Sequence, residues 1–411
     1  MNKSFGLLGE KLVHSFSPMI HKYLGDYGYL LYEVPPDNLD SFMKEKQFDG
    51  INITIPYKQA VMPYCATLSD EARTIGSVNT IIKDGEGALH GHNTDHHGFR
   101  VMLEQGGIEP DGKKVLVLGD GGSARTVRAV LSALNAREIV TISRRGENHY
   151  GNIERHYDAE IIVNTTPVGM YPENGNSPLS LAGFERLTGV ADLIYNPART
   201  RLLLEAGRQG VSCVNGLTML VAQAEMANRL FMETPARPEL PELIERIVDQ
   251  ILKETQNIAL IGMPGCGKST VGRILAHAME RPFADIDERI VAAAGKSIPQ
   301  IITEDGEEKF RQLETRILGE ETKKSGMVLA TGGGVVTRPE NFDLLRQNSI
   351  IVYLERELNE LITDGRPLSK GVGIHVLAEQ RLPLYETWSD CIVHVEAKPE
   401  LTAARIREAT G

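Results

Sequence analysis

The stretch from Asn257 to Thr270 constrains this chain more than any other. A short apolar run, Asn257–Ile261, leads into Gly262-Met-Pro-Gly265-Cys266-Gly267-Lys268-Ser269-Thr270, and a helical pattern follows. Strand, G-x-x-x-x-G-K-S turn and helix in that order form a phosphate-binding loop. Glycines let backbone N–H groups wrap phosphate oxygens, and the helix N-terminus adds a favourable dipole. Lys268 is placed to reach the outer phosphates and Ser269 to ligate Mg²⁺. The candidate ATP-binding residues are therefore Gly265, Cys266, Gly267, Lys268, Ser269 and Thr270. A chance glycine-rich turn is the bland alternative, and the flanking strand and helix argue against it.

Elsewhere, short apolar runs alternate with helical patterns, as in parallel α/β architecture. Strands are expected at Phe5–Leu8, Leu30–Val34, Gly50–Ile55, Lys114–Leu118, Glu138–Ile142, Glu160–Asn164 and Val190–Ile194, then at Asn257–Ile261, Met327–Ala330 and Ile350–Leu354. Ser17 reads as a helix cap with Pro18 at the first helical position. Residues 232–256 carry three prolines and then an amphipathic helix, which closes a first region with a boundary near Lys253–Gln256. The length of 411 residues fits two or three domains. A net charge of −11 argues against nucleic acid as a ligand, because phosphate neutralisation needs a basic surface. Four scattered cysteines without metal spacing fit a reducing cytosol. The start MNKSFGLLGEKL reads as no secretory signal, and no apolar run approaches the ~18 residues of a membrane span. A cytoplasmic protein with no membrane partner is the expectation.

A second glycine-rich turn follows the expected strand Lys114–Leu118. It reads Gly119-Asp120-Gly121-Gly122-Ser123-Ala124-Arg125 and opens a helix running to about Leu134. Alone this is weak evidence, and a structural turn would do as well. The next strand, however, ends in Ser143-Arg144-Arg145, about 20 residues on, where an NAD site would place Asp or Glu. Two arginines there suit the 2′-phosphate of NADP. The candidate cofactor residues are Gly119, Gly121, Gly122, Ser123, Ala124, Ser143, Arg144 and Arg145. Asp120 would oppose the pyrophosphate unless its side chain points away. Only about 17 residues separate Ile142 from Glu160, where a helix and strand are normal, so one α/β unit is expected to be reduced to a loop or a turn.

The C-terminal region adds Asp285-Ile-Asp287, expected to end a strand with both carboxylates on one face, one for metal and one for an acceptor hydroxyl. Then come Gly306-Glu-Glu-Lys-Phe310-Arg311, Gly332-Gly333-Gly334, Gly365-Arg366-Pro367-Leu368 and Arg381-Leu-Pro-Leu-Tyr385. In this order and spacing, residues 257–411 closely resemble shikimate kinase. The resemblance implies that Asp287 positions and deprotonates the acceptor hydroxyl, and that Asp285 holds Mg²⁺ through water alongside Ser269. Arg311 and Arg381 would grip the substrate carboxylate, Gly333 and Gly334 would offer amides, and the lid residue Arg366 would contact ATP and neutralise the transferred phosphoryl group. Arginine suits these tasks because its planar fork binds carboxylate through two parallel hydrogen bonds. A single arginine is ordinarily a surface salt bridge, and the ordered set is what overturns that reading. The lid around Arg366 is short.

The N-terminal region carries His14-Ser15-Phe16-Ser17-Pro18, Asn52-Ile-Thr54-Ile-Pro56-Tyr-Lys58, Ser77-Val-Asn79-Thr80 and Asn93-Thr94-Asp95, then Asn164–Met170, Asp192–Pro197 and Asn215–Gln223. Residues 1–254 are similar to shikimate dehydrogenase. On that resemblance Ser15 and Ser17 bind the substrate carboxylate, Thr54, Asn79, Asp95 and Gln223 read its hydroxyls, and Lys58 with Asp95 forms the catalytic pair. The chemistry agrees: reducing a ketone leaves negative charge on oxygen, which needs a proton donor or cation within reach. A lone lysine is usually a solvated charge, and its setting beside Pro56 in a chain carrying Asp95 lifts Lys58 above that. Against the family pattern, Asp120 replaces a small apolar residue, Ser143 an Asn and His96 a Gly.

The resemblances imply a substrate-binding domain over 1–105, completed by helices from 217–254, a Rossmann NADP domain over 106–216, and a phosphate-loop kinase domain with a central parallel sheet over 257–411. The implied substrates are 3-dehydroshikimate, reduced with NADPH, and shikimate, phosphorylated at its 3-hydroxyl with MgATP. Alternatives are an NAD-using quinate/shikimate dehydrogenase, another small phosphate-loop kinase, or one inactive regulatory half. A homo-oligomer remains open.

Overall fold

A computed structural model describes residues 3–12, 15–235, 239–361 and 373–411. The chain divides into two compact units, residues 1–195 with 205–251, and residues 196–204 with 252–411. Among the described residues no helix is long and apolar enough to cross a membrane.

The first unit contains two sheets. Strands β1 (Phe5–Gly9), β2 (Tyr29–Glu33), β3 (Gly50–Ile53), β4 (Thr67–Leu68), β5 (Thr80–Lys83) and β6 (Leu89–His92) assemble in the order β2-β1-β3-β5-β6-β4. β1 lies parallel to both neighbours, while β3, β5 and β6 run antiparallel in turn. Asp84 closes the β5–β6 hairpin by accepting from the amides of Glu86 (2.9 Å) and Ala88 (2.8 Å). β3 stops at Ile53, short of the expected Ile55, because Thr54 turns the chain through Tyr57 N–H to Thr54 O (2.9 Å) and Pro56 has no N–H to pair. Helix Leu217–Met232 packs on helices Ser17–Leu24 and Asp95–Gln105. Its Phe231 ring stacks on Phe5 at 4.8 Å.

The second sheet holds β7 (Lys114–Leu118), β8 (Glu138–Ile142), β9 (Ile161–Asn164), β10 (Gly189–Asp192) and β11 (Ser212–Asn215), all parallel, in the order β11-β10-β9-β7-β8. Between β8 and β9 stands a single 3₁₀ segment, Tyr150–His156, and β8 is left as the sheet edge. The strand order reverses between β7 and β9, so a ligand crevice opens beyond their carboxyl ends.

The second unit is built on β12 (Asn257–Ile261), β13 (Phe283–Asp285), β14 (Val328–Ala330), β15 (Ser349–Glu355) and β16 (Cys391–His394), parallel throughout and ordered β13-β14-β12-β15-β16. β12, buried at every position, lies at the centre, as a continuous apolar run predicts for a parallel sheet covered on both faces. The helix before it spans Leu240–Thr255.

Two local expectations are corrected. Ser17 is not a cap: helix Ser17–Leu24 starts from Phe16 with no side-chain cap, and Ser17 is its first helical residue, its amide donating to Ser15 Oγ at 3.2 Å. Asp285 and Asp287 do not share a strand face either. β13 ends at Asp285, which caps helix Ile286–Ala294, and Asp287 lies in that helix's first turn.

Candidate active sites

In the first unit, Lys58 Nζ lies 2.6 Å from Asp95 Oδ2, with side chains 30% and 14% exposed. Backbone bonding holds the lysine in place, since Val78 N–H donates to Lys58 O at 2.7 Å. Asp95 is the first residue of helix Asp95–Gln105, where the helix dipole favours its negative charge. That helix reaches helix Leu217–Met232 because residue 98 is glycine. A β-carbon there would fall 2.6 Å from Met219 O and 3.0 Å from Gln223 Cβ.

A buried polar chain links the other expected readers. Tyr29 OH donates to Asn52 Oδ1 (2.7 Å), Asn52 Nδ2 to Thr80 Oγ1 (3.0 Å), and Asn79 Nδ2 to Thr94 Oγ1 (3.0 Å) and Gln223 Oε1 (3.4 Å). Thr94 N–H in turn donates to Asn79 Oδ1 at 2.7 Å. Thr94, missed as a site residue, thus orients the Asn79 amide and precedes Asp95. His21 stacks on Tyr29 at 3.8 Å, and burial drives its pKa down to about 3, so the imidazole is neutral. Ser15 and Ser17 sit at the start of the same helix as His21, and Thr54 packs beside Gly9. Among the described residues no hydrogen bond joins Ser15 or Ser17 to Lys58 or Asp95. Tyr195, also missed, contacts Phe16 at 5.1 Å, and burial raises its phenol pKa. His14 lies outside the described residues.

At the crevice beyond β7, Gly119 has φ +99°, and a β-carbon would crowd Thr165 Oγ1 at 2.9 Å. Gly121 caps helix Gly122–Ala133, so the amides of Gly122, Ser123 and Ala124 open the helix. Open space faces Gly121 and Gly122, and Ser123 is exposed, which fits a dinucleotide pyrophosphate. Arg144 and Arg145 stand exposed past β8, and Ser143 Oγ donates to Arg145 O, which shapes this turn. Asp120 is exposed beside the same glycines.

In the second unit, Gly267 caps helix Lys268–Ala278 with φ +107°, and Lys268 Nζ donates to Gly262 O (2.8 Å) and Met263 O (3.0 Å). Gly265 and Cys266 are buried within the turn, while Ser269 and Thr270 extend outward from the first helical turn. Asp285 Oδ1 accepts from Asp287 N–H at 3.0 Å, which leaves Oδ2 for a hydrated Mg²⁺. Among the described residues no group of three or more His, Cys, Asp or Glu residues could hold a metal ion.

Three consecutive glycines after β14 draw the site together. A β-carbon at Gly332 would lie 2.4 Å from Glu314 Oε1 and 3.0 Å from Asp287 Oδ1, one at Gly333 would strike Pro264 Cγ at 2.6 Å, and one at Gly334 would fall 2.1 Å from Arg311 Nη1. Arg311 Nη1 donates to Glu314 Oε2 (3.0 Å), and Arg381 Nη1 donates to Gly333 O (3.2 Å). Arg381 Nε is buried and has no hydrogen-bond partner among the described residues. Burial first, then Glu314 and Asp285, push Asp287 up to about 6, with Lys268 and Arg311 pulling the other way. Burial likewise raises Glu314, opposed by Arg311. Glu314 was not foreseen, since nothing in GEEKFRQLE marks it as central. Arg366 falls outside the described residues, and with it the lid.

The shikimate kinase family profile matches residues 264–410, and that of the shikimate dehydrogenase substrate binding domain matches residues 7–81. A shikimate dehydrogenase (NADP(+)) of Clostridium perfringens is 38% identical over 251 residues, covering 56% of this chain and 92% of the relative. A solved chorismate mutase/shikimate 5-dehydrogenase fusion protein from Clostridium acetobutylicum aligns at 38% identity with TM-score 0.56, over 61% of this chain and 99% of the other. The shikimate 5-dehydrogenase of Thermus thermophilus, solved with NADP(H) and shikimate, aligns at 32% identity with TM-score 0.54, over 60% and 100%.

Proposed function

From the premise that this chain belongs to the shikimate dehydrogenase family and carries a shikimate kinase domain at its C-terminus, we propose how its two clefts perform those reactions. The protein is a bifunctional enzyme of the shikimate pathway, coupling an NADP-dependent oxidoreductase to an ATP-dependent kinase. Residues 1–105, with helices from 217–254, form the substrate lobe, 106–216 the NADP lobe and 257–411 the kinase.

In the first cleft Ser15 and Ser17 take the carboxylate of 3-dehydroshikimate, while Thr54, Asn79 and Gln223 read its hydroxyls. Gly119, Gly121, Gly122, Ser123 and Ala124, with Ser143, Arg144 and Arg145, would hold NADPH, which would supply hydride for the ketone carbon. Lys58 Nζ meets the oxygen as charge develops there and gives it a proton, and Asp95 at 2.6 Å keeps the ammonium aimed.

In the second cleft Arg311 and Arg381 hold the shikimate carboxylate, with the amides of Gly333 and Gly334 beside them. Asp287 takes the proton of the 3-hydroxyl. Its elevated pKa suits a base working near neutrality. Lys268 and Gly265–Thr270 would hold the ATP phosphates, Ser269 and Asp285 would hold Mg²⁺, the latter through water, and Arg366 would neutralise the charge of the transferred phosphoryl group.

One observation carries the reading: Lys58 is paired with Asp95 at 2.6 Å in the first unit, and Asp287, Arg311 and Glu314 converge on the Gly332–Gly334 turn beside Pro264 of the phosphate-binding loop in the second. Supplying 3-dehydroshikimate, NADPH and MgATP to the pure protein should yield shikimate 3-phosphate, NADP⁺ and ADP. Consumption of quinate with NAD, or no phosphorylation of shikimate, would favour the alternatives. We place the enzyme in the cytoplasm, acting on small molecules and not on nucleic acid.

A further inference from the structure

Both arms of the Arg311 fork are engaged by carboxylates of its own helix. Nη1 donates to Glu314 Oε2 at 3.0 Å, and Nη2 donates to Glu307 Oε1 at 3.1 Å. The two partners differ in kind. Glu314 is fully buried in the middle of helix Glu307–Glu321, whereas the Glu307 side chain is 52% exposed at that helix's first position. Glu307 and Arg311 line a cavity of about 710 Å³ together with Arg338, Leu377 and Arg381.

A carboxylate read by Arg311 through two parallel hydrogen bonds needs Nη2, the group that Glu307 occupies. We infer that Glu307 competes with the acceptor's carboxylate for Arg311 Nη2 and must yield to it, so that this residue sets how tightly the kinase holds carboxylate acceptors. The inference rests on the assignment of Arg311 above. Displacement is inexpensive for Glu307: it swings into water at a helix N-terminus, where the dipole favours an anion. The opposite role, aiming Arg311, is already filled. Glu314 grips Nη1 from within, and the Gly334 backbone lies so close over the guanidinium that a β-carbon would touch it.

The two roles differ in sign, so one substitution separates them. Steady-state phosphorylation is measured with NADP omitted, which silences the other cleft, using shikimate and its methyl ester as acceptors. E307Q should lower the KM for shikimate about two- to five-fold, the scale of a half-exposed ion pair. KM for the uncharged ester should stay where it is, KM for MgATP should report an intact nucleotide site, and E307D should restore a KM nearer the original. An unchanged or raised KM for shikimate in E307Q would overturn the inference, as would an equal fall for the ester. Failure of the unaltered protein to phosphorylate shikimate at all would instead strike at the kinase assignment.

Discussion

The chain contains two units of the same local design, a buried strand, a glycine turn and a helix, and they handle phosphate differently. After β7 the turn Gly119–Gly122 is largely exposed and carries an acid at Asp120, and Arg144 and Arg145 stand exposed beyond the next strand. After β12 the turn is largely buried, and Lys268 is folded back on the carbonyls of Gly262 and Met263. A pyrophosphate that only anchors a cofactor needs backbone amides and distant charge. A phosphate that departs needs a cation fixed before the reaction, because only preorganised charge lowers the barrier. The difference teaches that glycine spacing marks where phosphate sits, while the buried charge beside it marks whether phosphate reacts.

The sharpest way to break this comparison is to remove one cation from each unit. Lys58→Met should cut NADPH-dependent reduction by about 10²–10⁴-fold, the usual worth of a positioned proton donor, with phosphorylation close to unchanged. Lys268→Met should cut phosphorylation by about 10²–10³-fold, with reduction close to unchanged. Paired initial-rate assays decide it. If either change silenced both reactions in folded protein, the two clefts would not be independent.

Asp287 sharpens the contrast through pH. As a base it must be ionised, so kcat/KM for phosphorylation should fall about tenfold per unit below pH 6. The folded-state pKa of about 6 lies above the usual carboxyl value of 3.8, so the protonated form is the one favoured by folding. Its contribution to stability is full below pH 4 and lost as pH rises through 6. Asp287→Asn should therefore abolish phosphorylation yet stabilise the kinase unit at pH 8 by about 2 kcal/mol, discounted for partial exposure, and by little at pH 4. Thermal melts at the two pH values check this. Equal shifts would mean that Asp287 is not strained.

Much of this was legible in the residues, and the remainder was hidden for physical reasons. β7 and β12 begin and end where the apolar runs do, since a strand buried on both faces needs a continuous run. Strands of two to four residues such as β4, β5, β6, β11 and β16 are too short to show a period. The reduced segment after β8 was readable from chain length alone, and a 3₁₀ turn fills it. Thr94 escaped notice because its importance lies in Asn79 and Gln223, buried partners from elsewhere in the chain, and Glu314 because its burial against Gly332 is invisible in a charged helical segment. The same holds for Gly98 and Gly332, whose missing β-carbons admit Met219 and Glu314. The Asp285/Asp287 pair was seen, but a strand period was assumed where a helix begins.

Replacing Arg144 and Arg145 together with Ala should raise KM for NADPH about 10–100-fold, the worth of one or two charged hydrogen bonds to a phosphate, and should leave KM for NADH alone. An equal rise for both cofactors would mean that these arginines do not read the 2′-phosphate.

The smallest expected effect belongs to Asp120, and it tests the exposed turn itself. Its carboxylate stands among the glycines that would receive a doubly charged pyrophosphate, yet it is exposed to water, which screens the repulsion. Exposed charges within a few ångströms of each other are worth a few tenths of a kcal/mol to about one. Asp120→Ala should accordingly lower KM for both NADPH and NADH about two- to three-fold at low salt, with the gain fading as ionic strength rises. The pyrophosphate is common to the two cofactors, so an effect confined to NADPH would place Asp120 against the 2′-phosphate instead. A raised KM would mean that the acid organises the turn, and the comparison with the buried turn after β12 would then rest on more than burial.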